Sequence, residues 1–106
     1  MNLNVFTTYS PYVQAYDLPN TMNCKPEDIV ETYRRMISQN PDMAFQNFLH
    51  EKKLVLLGQY DDVSGKLIPV EQPVVIADLA GFFPKGFIEK RQADTVKYFA
   101  GGQKNA

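Results

Sequence analysis

The sequence predicts an α+β domain, with a short, mainly antiparallel sheet and two helices packed on one face. Three observations carry this. Apolar residues recur at helical spacing after Pro26, at Ile29, Val30, Tyr33, Met36 and Ile37. Four apolar residues in a row, Leu54 to Leu57, suggest a strand buried on both faces. The segment "DDVSG", residues 61–65, then has the chemistry of a turn into a returning strand. The chain has 106 residues, of which 44% are apolar and 22% charged, so it can build one modest hydrophobic core.

Taken in order, "LNVFTTY" (3–9) is β-branched and aromatic and reads as a first strand. An irregular loop follows, "SPYVQAYDLPNTMNCKP", with three of the seven prolines. Pro26 suits the first turn of a helix, and Glu27 and Asp28 complement its positive end. Pro41 pushes Asn40 out of helical geometry, so this helix ends by Gln39. The same pair caps and starts a second short helix, with Ala44, Phe45, Phe48 and Leu49 as its apolar side. Leu54–Tyr60 is a strand, and Lys66–Val70 returns as its hairpin partner. Asp61 can bond the backbone two residues on, and Gly65 can take a positive φ. Pro69 and Pro73 interrupt the returning strand and place it at a sheet edge, with residues 73–80 as a third sheet segment. Residues 88–99 fit a short amphipathic helix, and "AGGQKNA" should fray. Residues 1–80 are therefore the expected core, and 81–106 a basic, aromatic-containing, partly flexible C-terminal segment.

Composition narrows the functional classes. Net charge is −1, whereas a dedicated duplex-DNA binder carries a clear basic excess. No signal-like or membrane-spanning apolar run is present, which leads to an expectation of cytoplasmic residence without membrane contact. The single Cys24 cannot form an internal disulfide. Asp61, Asp62 and Ser64 fail as an EF-hand loop, because Lys66 or Leu67 falls where its glycine belongs. No phosphate-binding glycine pattern occurs, and Cys24 and His50 lie far apart in sequence, so the expectation is no enzymatic activity, metal or cofactor.

Binding of single-stranded nucleic acid needs aromatic faces for stacking and cations along the backbone. Two stretches qualify. Tyr9, Tyr12 and Tyr16 crowd the first loop. In the C-terminal segment Phe82, Phe83, Phe87, Tyr98 and Phe99 interleave with five basic residues against two acidic ones. The competing reading places those phenylalanines in the core, their usual fate.

The order of features is also informative. "PEDIVETYRRMI" is followed by "NPD" and then by "LVLLGQYDDVSGKL". Over roughly residues 3–80 this resembles the small non-structural protein of gokushovirus-type microviruses, phages with single-stranded DNA genomes. The matching residues are Leu57, Gly58, Tyr60, Asp61, Asp62, Ser64 and Gly65, with tyrosine at 60 where the family pattern has phenylalanine. The resemblance implies a phage protein made in the host cytoplasm, absent from the capsid, and acting in single-stranded genome synthesis or packaging. It supplies no catalytic residues.

Together these readings lead to a non-enzymatic accessory protein that contacts single-stranded DNA. Arg34 and Arg35, or Lys85, Lys90, Arg91 and Lys97, would meet phosphates, and Tyr98 would stack on a base. The alternative is a scaffold-like or homodimeric interaction module that binds no nucleic acid, its unpaired edge at residues 66–79 inviting a partner strand.

Overall fold

The structure is a computed structural model that describes residues 1–94. Five antiparallel strands form one sheet. Strand β1 (Asn2–Ser10) carries both β2 (Ala15–Tyr16) and β3 (Asn20–Met22) along one edge. Its other edge pairs with β4 (Lys53–Asp61), which in turn pairs with β5 (Leu67–Asp78). The helices are α1 (Pro26–Gln39), α2 (Pro41–Gln46) and α3, which runs from residue 87 to the last described residue.

The helix boundaries follow from local chemistry. Pro26 opens α1, and the Asp28 carboxylate accepts from the Lys25 N–H at 3.4 Å. Asn40 ends α1 and caps α2, its side-chain oxygen accepting from the Met43 N–H. Ile29 and Ile37 are buried, but Met36, expected on the same stripe, is 44% exposed. Phe48 also departs from expectation. It leaves α2 in the left-handed region (φ +61°) and turns its ring outward before the 3₁₀ turn Leu49–Glu51.

On the helix-covered face, Phe6 and Leu54 meet Ile29, Ile37, Ala44, Leu79 and Phe83. Phe82, Phe87 and Ile88 pack against this cluster, so the core does not stop at residue 80. Phe83 follows the 3₁₀ turn Leu79–Phe82 into the core. The segment beginning at 81 is therefore part of the domain as far as it is described.

The hairpin forms as its turn chemistry requires. Asp61 Oδ1 accepts from the Val63 N–H at 2.9 Å, and its carbonyl accepts from the Gly65 N–H at 2.8 Å. Gly65 takes φ +74°. Rather than two broken segments, β5 is one strand, because a register shift between Leu56 and Gly58 absorbs the proline-rich stretch. Gly58 permits this crossing. A Cβ at that position would stand 2.3 Å from the Ile68 carbonyl oxygen and 2.8 Å from Pro69 Cα.

His50 stacks on Phe45 with ring centroids 4.0 Å apart and meets Phe83 edge-on at 6.1 Å. Its side chain is 7% exposed and its Nδ1 is buried without a partner. The proton of the neutral ring therefore belongs on Nε2, which lies 3.6 Å from Glu51. Burial pushes the His50 pKa below its ordinary value, and Glu51 only partly opposes this.

Two outcomes follow. Gly58→Ala should cost about 3 kcal/mol and lower Tm by roughly 15 °C in thermal unfolding. Gly65→Ala, whose Cβ meets open space, should cost only about 1 kcal/mol. The unfolded chain takes up the His50 proton before the folded one does. Stability should thus be fully present above about pH 6.5 and decline as pH falls below it. Denaturant titrations from pH 7.5 to 5 check this, and His50→Phe should flatten the profile over that range.

Candidate nucleic-acid interface

The irregular loop after β1 is a folded platform. Tyr9 and Tyr16 are directly opposed in the β1–β2 ladder, with ring centroids 4.5 Å apart. Between them the chain turns tightly, Gln14 taking φ +55°. Tyr12 is left 75% exposed and Tyr16 50% exposed. On its other side Tyr9 is opposed by Lys53 of β4. Phe48, 60% exposed, lines a shallow depression with Val13 and Lys52 beside this loop.

Backbone-directed bonds hold the platform. Thr7 Oγ1 donates to the Asp17 carbonyl at 2.8 Å, and the Asp17 N–H donates to the Thr8 carbonyl at 2.9 Å. The Asp17 carboxylate accepts from Lys52 Nζ at 2.8 Å and from the Thr8 hydroxyl. Those two donors, Lys52 foremost, hold the Asp17 carboxyl below the usual carboxylate range. Lys52 is thereby committed to the loop, whereas Lys53 stands beside Tyr9 on the strand.

The described cations expected to meet phosphate lie on α1, on α3 and in the turn before α3. Arg34 pairs with Glu31 at 2.9 Å and lies over the Phe82 ring, 4.9 Å from its centroid. This contact joins α1 to the C-terminal segment, which the sequence presented as a separate alternative. Arg35, Lys85 and Lys90 are exposed. Arg91 is half-buried, pairs with Asp42 at 3.6 Å and lies over Phe45. Its role within the fold is to fasten α3 to α2. Lys97 and Tyr98 lie outside the described residues.

The aromatic assignment shifts accordingly. Phe83 is buried, and Phe82 and Phe87 are half-buried against the core, so their faces are largely committed to packing. Among the described residues, Tyr12, Phe48 and Tyr16 are the most exposed rings, and the two tyrosines share the first loop. Their signal in the sequence is three tyrosines in an eight-residue span around Pro11, with no helical or strand periodicity to bury them. Cys24 and His50 occupy separate surroundings. Cys24 sits before α1, where its carbonyl accepts from Asn4 Nδ2, and His50 lies between aromatic rings.

Asp17→Ala should cost about 1 kcal/mol, since the ion pair is half in solvent and only its hydrogen bonds are well placed. The check with more resolution is amide exchange, which should accelerate over residues 11–19 and not in α1. Because the folded carboxyl has a depressed pKa, its contribution is present at neutral pH and lost as pH falls through that lowered value.

No protein-family model, curated protein or solved structure matches this chain.

Proposed function

We propose that this chain is a non-enzymatic accessory protein of a single-stranded DNA phage. It binds single-stranded DNA in the host cytoplasm during genome synthesis or packaging. The observation that carries this reading is the tyrosine platform. Rings on a turn pinned by Thr7, Thr8 and Asp17 stay exposed where burial would stabilise the fold. Exposed planar faces on a rigid turn suit unpaired bases, which stack without regard to sequence. Lys53 beside Tyr9, Arg35 on α1, Lys85 in the turn before α3 and Lys90 on α3 supply cations for phosphates. The likeness of "LGQYDDVSG" to the gokushovirus protein gives the same class of ligand. No helix among the described residues is long and apolar enough to cross a membrane.

Single-stranded oligonucleotide binding, measured by fluorescence anisotropy at ~50 and ~200 mM salt, tests the proposal. A chain contacting three or four phosphates should weaken by roughly 20- to 50-fold between the two. Tyr12→Ala and Tyr16→Ala should each weaken binding at least ~fivefold at the lower salt, the loss expected from one stacked base. Arg35→Ala should instead reduce the salt dependence. Absence of binding at ~50 mM salt, or full affinity in a folded Tyr12/Tyr16 double variant, overturns this reading.

A further inference from the structure

Phe48 stands where the fold has least reason to keep it. Between α2 and the 3₁₀ turn the chain reverses at this residue, in the left-handed region at φ +61° and ψ +23°. A Cβ there crowds the following carbonyl, and helix ends usually give the position to glycine or asparagine. Phenylalanine takes that strain without the stabilisation that burial would bring, because it is 60% exposed. Among the described residues, Gln14 is the one other non-glycine with a positive φ. Strained backbone of this kind gathers at ligand sites, and here both points border one feature. A depression of about 280 Å³ is walled by Phe48 and by Val13 and Ala15, the two neighbours of Gln14.

The charges in this lining select what enters it. Lys52 is paired with Asp17 at 2.8 Å, and the Thr8 hydroxyl donates to the same carboxylate. Glu51 has only His50 Nε2 opposite it, at 3.6 Å, so its carboxylate keeps free acceptor capacity. With Lys52 set against Asp17, Glu51 leaves the lining negative, and a phosphate is repelled from it. Apolar walls and one carboxylate suit a flat ring that carries an N–H donor. The volume lies at the lower bound of small-molecule sites, which fits one such ring and no extended ligand.

We propose that this depression seats one cytosine of the single-stranded DNA, its plane against the Phe48 ring and its N4 amine donating to Glu51. The seat rests on the DNA-binding reading above and adds base preference to a platform that stacks any base. Tyr12 precedes Val13 in the turn, so the depression adjoins the platform and one strand engages both. A carboxylate is the usual acceptor for cytosine N4. Thymine, a pyrimidine of similar size, presents a carbonyl oxygen at that place, and Glu51 repels it.

Fluorescence anisotropy of the full chain with labelled oligodeoxycytidine and oligothymidine of about twelve nucleotides, at ~50 mM salt, tests this. The wild-type chain should bind the cytosine strand roughly fivefold more tightly or better. Phe48→Asn should weaken both strands at least ~fivefold, the loss of one stacked base, while Tm stays level or rises. Phe48→Leu, which keeps the apolar bulk and the strain, should lose binding to the same extent. Phe48→Tyr should retain it. Glu51→Ala should remove the cytosine preference without weakening the thymine strand. Wild-type binding that is equal for the two strands, or tighter for thymine, overturns the seat. So does full affinity in folded Phe48→Asn and Phe48→Leu chains when Tyr12→Ala has lost it, a result that leaves the platform standing. A lowered Tm with unchanged affinity per folded molecule assigns Phe48 to packing and overturns the seat as well. No binding of either strand removes the DNA reading and the seat together.

Discussion

The fold depends on the pairing of β1 with β4, two strands separated by more than forty residues of chain. Their ladder runs from Asn2 opposite Asp61 to Tyr9 opposite Lys53. Closing it places α1 and α2, which lie between the two strands in sequence, over the face that carries Phe6 and Leu54. Only then do Ile29 and Ile37 find partners, because neither helix can bury its stripe alone. The hairpin to β5 is local and can form early, whereas the β1–β4 ladder pays a long loop closure before its contacts return anything. The sheet's stability and the helices' order are thus one cooperative event.

What the sequence reveals of this fold is what local chemistry decides. The Pro26 start, the shared Asn40–Pro41 boundary and the Asp61–Gly65 turn all rest on groups within a few residues of each other, and all three form as expected. Features set by distant partners were not legible. Strands β2 and β3 have two and three residues, too few for any periodicity, and exist because β1 offers them an edge. The need for Gly58 arises from Ile68 and Pro69 crossing over it, so "LGQYDD" records a packing constraint as well as a turn. Met36 and Phe48 fit an apolar stripe by spacing but find no neighbour to cover them.

The candidate site shows the same division. Composition singled out two aromatic clusters, and Phe82, Phe83 and Phe87 of the second serve the core instead. Their cations follow them: Arg34 over Phe82 and Arg91 over Phe45 cover ring faces at the edge of the core. Such contacts stabilise modestly while leaving positive charge at the surface. Packing and ligand binding are thus not exclusive for these arginines, but for the rings they are. That asymmetry moves the proposed stacking role to the first loop, where the rings have no structural duty beyond the Tyr9–Tyr16 contact.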